Sequence, residues 1–453
     1  MDALQRGQFP GDFLWGCATS SYQIEGATQA GGRGVSIWDR FCERPGAIRD
    51  GSSGAMACDH YHRWEQDLDI AAAMGVKAYR FSIAWPRIFA QGVGARPNVE
   101  GLAFYSRLVD GLLARGIEPW VTLYHWDLPQ ALQDRGGWAN RATIGAFTDY
   151  TRAVAECLGD RVKHWITHNE PWCTAFLGHH EGVHAPGLRD FALAMRVCHN
   201  LLVSHGEAVR VLRSTVSEAK VGITLSLHPV RPASAAPEDL LAALRHDGLR
   251  NRWFLDPLFG RGYPQDVMEL LGDSAPEVLP GDFHSMAAPC DFLGVNYYFP
   301  ETVAYSAANL PLQARVVPTQ ARQTTAMGWP VAPEGLTELL TRIQRDYQPA
   351  AIYLTENGAC FEDHLEPDGQ VQDTERLDFL REHLMAARQS LAAGVPLKGY
   401  FAWSLLDNFE WAEGYQRRFG LVHVDYPSQQ RRFKASGNWY REFLRSEIQG
   451  YPS

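Results

Sequence analysis

The sequence has no run of eighteen apolar residues, no apolar stretch behind its opening "MDALQRGQFPGDFLWG", no Cys-x-x-Cys and no excess of positive charge. Each absence removes a class of protein. Without a long apolar run there is no candidate membrane span, and without an apolar stretch near the start no export signal is expected. Eight cysteines, at 17, 42, 58, 157, 173, 198, 290 and 360, are scattered without regular spacing, so reduced thiols in a cytoplasm are the expectation. A formal net charge of −10 argues against nucleic acid or an anionic membrane as a main partner. Phosphate loops are missing too. There is no G-x-x-x-x-G-K-[ST], and the glycine-rich "GGRGVSIWD" (31–39) lacks the strand-to-helix context of a dinucleotide fingerprint.

What remains is a chain of 453 residues, 45% hydrophobic and 21% charged, with 14 tryptophans. That balance suits a globular protein with a large core, and so many indoles supply flat apolar platforms as well as packing. Eight short strand-like runs recur: 13–19, 79–85, 118–125, 164–170, 221–227, 291–298, 352–358 and 399–407. Helix-type patterns alternate with them, among them 59–75, 104–116, 143–159 and 191–213. Near-continuous apolar strands are what a parallel sheet covered on both faces requires. Eight strand–helix units without a linker predict an α/β fold, a single (β/α)8 barrel spanning 1–453 as one catalytic domain. The residues beyond a plain barrel fall into long loops at 28–58, 299–335 and 407–427, on the face where such barrels build their sites.

The strand ends turn polar together. They carry Gln23, Arg80, His125, Asn169 with Glu170, Asn296 with Tyr298, Glu356 and Trp403. A magnesium-dependent barrel would want three carboxylates close together, whereas here two strand ends carry Glu among amides, imidazole and indoles. Two carboxyls in such company fit glycosidic cleavage, which needs one proton donor and one anion facing an oxocarbenium-like carbon. For a lone strand-end Glu, a salt bridge to a loop Arg is an equally good account. Two of them, each followed by a loop, favour chemistry. "HEGVH" (180–184) matches the zinc-protease pattern, but Gly182 and Pro186 oppose the helix that would aim both imidazoles at one metal. "CDHYH" (58–62) lacks the second half of a zinc site and reads as a helix start or core packing.

At these residues the chain resembles glycoside hydrolase family 1, the retaining β-glucosidase family, from about residue 9 to 445. "FLWGCATSSYQIEGA", "YRFSIAWPRI", "HWDLPQAL", "THNEP", "GVHAPG", "GVNYY", "YLTENG" and "FAWSLLDNFEWAEGYQRRFGLVHVDY" carry the likeness in order. The resemblance implies Glu170 as acid/base and Glu356 as nucleophile, with Arg80 and Tyr298 supporting Glu356. It implies Gln23, His125, Trp126, Asn169, Trp403, Glu410, Trp411 and Phe419 around the bound sugar, and Trp329 on the leaving-group wall. It implies no metal or organic cofactor. Small β-glucosides or cello-oligosaccharides would be the substrates, with β-galactosides and β-fucosides as further candidates; oligomeric state stays open. On this reading Arg80 lowers the pKa of Glu356, and the Glu356 charge raises that of Glu170. Two alternatives stand beside it: a 6-phospho-β-glycosidase, which Glu410 opposes and Arg417 and Arg418 could favour, and a sugar-binding protein without catalysis. Departures from the family pattern at Val35, His179, Ser226 and Pro330 bear on loops and outer subsites.

Overall fold

The computed structural model describes residues 4–367 and 369–446. The eight expected runs form eight barrel strands: β1 (Leu14–Ala18), β2 (Ala78–Ser82), β3 (Glu118–Tyr124), β4 (His164–Asn169), β5 (Lys220–Ser226), β6 (Phe292–Asn296), β7 (Ile352–Asn357) and β8 (Leu397–Trp403). They pair in parallel in chain order, and β8 closes on β1 from Leu14–Gly399 to Ala18–Trp403. The helices His60–Met74, Val99–Ala114, Ala142–Leu158 and Phe191–Thr215 match the expected periodic segments. The second begins earlier than its apolar pattern, because the Asn98 side chain accepts the Glu100 N–H at 3.2 Å and caps it. None of the helices among the described residues is long and apolar enough to cross a membrane.

Strand alternation divides the side chains. Tyr79, Val121, Trp165, Leu293 and Leu354 belong to the large core between sheet and helices, while Trp120, Ile166, Phe292 and Phe401 form a second core inside the barrel. Inside, the Trp120 ring lies 5.2 Å from Phe292, 4.6 Å from Tyr353 and 5.1 Å from Phe401, centroid to centroid. Small residues make room for these rings. A methyl group at Gly16 would fall 2.4 Å from the Phe401 ring, and one at Gly222 would fall 2.5 Å from Phe292. Large and small residues thus alternate around the interior and seal it, as a packed barrel requires.

The extra length is more ordered than the sequence suggests. Residues 299–335, expected as loop, hold two strands, Glu301–Tyr305 and Ala314–Val317, which join Val230–Pro232 in a three-stranded sheet. Within 407–427, Val422–Asp425 pairs antiparallel with Gln430–Phe433. That second loop is pinned from below by a balanced set of buried charges. Asp407 accepts Arg418 Nη1 at 2.7 Å and Lys434 Nζ at 2.6 Å, while Asp363 forms an ion pair with Lys434 at 2.7 Å and accepts Arg376 at 2.9 Å. Arg376 also pairs with Asp373, so three cations meet three carboxylates.

Trp120→Ala would empty the centre of the barrel floor. It is expected to cost about 3–5 kcal/mol, the range for deleting a fully buried Trp side chain. A urea or guanidinium midpoint indistinguishable from wild type would mean that the rings do not hold the barrel together.

Candidate active site

Period-two alternation cannot by itself build the centre of this site. In β4 the side chains of Ile166 and His168 should face opposite ways from Thr167 and Asn169, and Glu170 should again face away from Asn169. The β4–β5 register slips between Ile166 and Asn169, and Glu170 then adopts φ +50°. The slip separates His168 from Asn169: His168 turns out to Ser204 Oγ, 2.8 Å from its Nε2, as Thr167 does to His205, whereas Asn169 and Glu170 both turn in. In β7 the register slips between Leu354 and Glu356 on one side and between Leu354 and Asn357 on the other. Consecutive Thr355 and Glu356 therefore both reach interior partners. Bulges next to a functional centre re-aim side chains in just this way.

Glu356 Oε1 accepts Arg80 Nη1 at 2.6 Å, and its Oε2 accepts the Tyr298 hydroxyl at 2.7 Å. Arg80 is fully buried and spends its other donors on Thr122 Oγ1, the Thr355 carbonyl and Asn169 Oδ1, at 3.1, 3.0 and 2.6 Å. Glu170 Oε1 accepts Asn296 Nδ2 at 2.8 Å, and the same amide nitrogen lies 3.1 Å from Asn169 Oδ1. One chain of polar contacts thus runs from Glu356 through Arg80, Asn169 and Asn296 to Glu170. Burial pushes the Glu356 carboxyl up, to about 7; Arg80 pulls against that rise and the Glu170 charge adds to it. Sequence reasoning expected the Arg80 effect to win, and desolvation outweighs it.

Around this pair a cavity of about 420 Å³ is walled by His125, Trp126, Trp329, Trp403, Trp411 and Phe419, with Glu410 among them. Asn169 Nδ2 sits 3.1 Å from His125 Nε2, an arrangement that assigns the ring proton to Nδ1, and burial holds that imidazole well below its ordinary pKa and neutral. Gln23 lies one layer deeper. Its Nε2 is 3.0 Å from Asn408 Oδ1, 2.9 Å from the Phe409 carbonyl and 3.3 Å from Glu410 Oε2, and its Oε1 accepts Ser20. The Glu410 carboxyl is pushed up to about 8, first by desolvation and then by the charges of Glu356 and Glu170.

Residues 5–448 match the family model for Glycosyl hydrolase family 1. The chain belongs to this family. Beta-glucosidase A of Thermotoga maritima is 48% identical over 443 residues, covering 97% of this chain and 98% of its own. The Beta-glucosidase of Agrobacterium sp. is 48% identical over 440 residues, covering 96% and 94%. A solved structure of the Thermotoga maritima family 1 glycoside hydrolase, complexed with a cyclophellitol analogue transition state mimic, has a TM-score of 0.94 at 48% identity and covers 97% of this chain and 98% of that one.

In this family 1 chain all thirteen residues expected from the sequence converge: ten line the cavity, and Gln23, Arg80 and Asn169 stand directly behind its wall. The two expected cations of a phospho-sugar site do not join them. Arg418 is tied to Asp407, and Arg417 pairs with Glu413 at 3.3 Å and Glu362 at 3.7 Å. "HEGVH" forms no helix, since Gly182 has φ +70°, and among the described residues no three His, Cys, Asp or Glu side chains group to hold a metal ion. His60, of "CDHYH", opens a helix and lies 2.8 Å from Asp67. Of the departures, His179 is buried against the Thr174 carbonyl away from the cavity, whereas Ser226 lines it. Sequence reasoning missed Trp172, Glu181, His228, Arg250 and Glu301 on the outer wall. Trp172 follows Pro171 of "THNEP" directly and was within reach; Glu181 belongs to "HEGVH", which reads only as a metal motif, and the others sit in no motif.

A carboxyl whose folded pKa exceeds its unfolded value weakens the fold as pH rises from the unfolded pKa, near 4.5, to the folded one, near 8. Glu410→Gln removes that penalty. Its thermal midpoint should therefore exceed wild type by a few degrees at pH 8.5 and by little at pH 5. A difference that does not change with pH would contradict the buried-charge account.

Proposed function

We propose that this chain is a retaining β-glucosidase that removes non-reducing terminal β-D-glucosyl residues, with residues 1–453 acting as one catalytic domain. The observation that carries this reading is the asymmetry of the pair: Glu356 accepts two strong donors, Arg80 and Tyr298, whereas Glu170 accepts one amide. The two donors favour the anion at Glu356, so Glu356 is read as the nucleophile and Glu170 as the proton donor. Glu356 attacks the anomeric carbon as Glu170 protonates the leaving oxygen, which gives a glycosyl ester on Glu356. That step removes the negative charge of Glu356. Glu170, now an anion without a charged neighbour in the pair, takes a proton from water as the water attacks, and the ester opens with net retention.

The walls suit a neutral sugar. Trp403 offers an indole face to the ring, and Glu410, braced by Gln23, accepts hydroxyl protons. His125 Nδ1–H and Asn169 supply donors near the 2-hydroxyl, and Trp126, Trp411, Phe419 and Trp329 exclude water around them. Galactosides and fucosides differ from glucosides at hydroxyls that Glu410 and Gln23 address, so a range of glycones is consistent with the site. A 6-phosphate would meet the Glu410 carboxyl with Arg417 and Arg418 both engaged elsewhere. The chemistry of these residues needs no cofactor, and the protein is read as a cytoplasmic enzyme of short β-glucosides or cello-oligosaccharides.

Hydrolysis of p-nitrophenyl β-glucoside should be readily measured and its 6-phosphate should not be cleaved. Glu356→Gln is expected to lower kcat roughly 10⁴-fold or more. The rate should be bell-shaped in pH, with a basic limb that follows loss of the proton from the general acid. Glu170→Gln should abolish that limb for the nitrophenyl substrate and cost about 10²–10⁴-fold for substrates with poor leaving groups. A limb that survives the substitution would assign the acid elsewhere.

A further inference from the structure

Beyond the carboxyl pair the cavity is lined by a polar cluster that the two chemical steps do not use. At its centre is Arg250, from the turn 248–252 that follows the helix Pro237–Asp247. Arg250 is only 4% exposed, yet its Nε and Nη1 have no hydrogen-bond partner among the described residues. Its Nη2 donates to Ser226 Oγ at 3.1 Å, and its guanidinium carbon stands 3.7 Å from the centre of the Trp172 ring. These two contacts fix the plane of the group and leave one edge idle. The nearest carboxylate, Glu301, lies 3.8 Å from Nε, too far for a hydrogen bond, and its other oxygen is 2.7 Å from His246 Nε2.

A buried donor left without an acceptor is costly, and sites that keep one commonly complete it with a ligand. The charges nearby narrow the choice of ligand. Glu301 offsets Arg250, Glu181 adds a second carboxylate at the same mouth, and burial holds the lining His228 neutral, at about 3. An anionic ligand would meet no net positive field. A hydroxylated neutral ligand meets donors at Arg250 and an acceptor at Glu181.

We propose that Arg250 is a specificity residue of the leaving-group site, donating to hydroxyl or ring oxygens of a leaving group that is itself a sugar, with Glu181 accepting in return. This deepens the β-glucosidase reading and rests on it. By reversal of the first step the same subsite seats a sugar as acceptor. Its hydroxyl oxygen then attacks the anomeric carbon, the hydroxyl proton passes to Glu170, and the bond from that carbon to Glu356 breaks.

The test compares wild type, Arg250→Met and Arg250→Lys on cellobiose, p-nitrophenyl β-glucoside and p-carboxyphenyl β-glucoside. It also reads the fraction of glycosyl enzyme transferred to added sugar rather than to water. Arg250→Met should lower the cellobiose to nitrophenyl ratio of kcat/KM at least about tenfold, the loss of one good charged hydrogen bond, mainly through KM. The transfer fraction should fall with it, and Lys should restore part of both. An equal loss on all three substrates would make Arg250 a structural residue, and a loss confined to the carboxyphenyl glucoside would make it an anion reader; either overturns the proposal. Wild-type enzyme inert on every glucoside would instead sink the underlying activity.

Discussion

The site hangs on one buried guanidinium. Arg80, on β2, donates to side chains or carbonyls from β3, β4 and β7, and so holds four strand ends in one register. An uncompensated cation at that depth would be ruinous, and Glu356 supplies the opposite charge at 2.6 Å. Stability and chemistry are therefore coupled at one contact. Removing either partner leaves the other charge buried, and the carboxylate that neutralises the barrel's central cation is also the proposed nucleophile.

The surrounding acids have been placed against their own preference. Glu356 and Glu410 are both pushed upward by burial, Glu356 also by the Glu170 charge and Glu410 by the charges of Glu356 and Glu170, and the enzyme keeps them close nonetheless. Such crowding needs a rigid frame. Beneath the Glu410 loop, Asp407, Asp363 and Asp373 meet Arg418, Lys434 and Arg376, a set whose charges cancel and in which only Arg418 is substantially exposed. Arg418 is thus engaged with the scaffold, and the same sequence segment that suggested a phosphate contact provides an anchor.

Strand and helix positions were legible because parallel strands buried on both faces leave uninterrupted apolar runs, and those runs survive any loop between them. The acids were legible because they end such runs and carry the family's motifs. Other features have no local signature. The slips in β4 and β7 that bring Asn169 with Glu170, and Thr355 with Glu356, to one side depend on pairing with neighbouring strands. The elevated Glu356 pKa reflects depth in the fold, which a neighbouring Arg in the sequence cannot report. Arg250 comes from a π-helical turn between two helices, outside any recognisable motif, and only the fold brings it beside Ser226 and Trp172. The sheet built by Val230–Pro232, Glu301–Tyr305 and Ala314–Val317 escaped notice because its strands are short and partly exposed.

The ring-packed floor of the barrel has a kinetic corollary. Trp120, Phe292, Tyr353 and Phe401 pack the tube beneath the carboxyl pair, so the pocket has a back wall. Whatever enters first must leave last. The portion of substrate seated deepest is freed only after the portion nearer the doorway has gone, and a molecule of the deep product lingering there blocks the next arrival. Turnover is therefore a queue in a blind alley, and its order is set by the masonry at the far end.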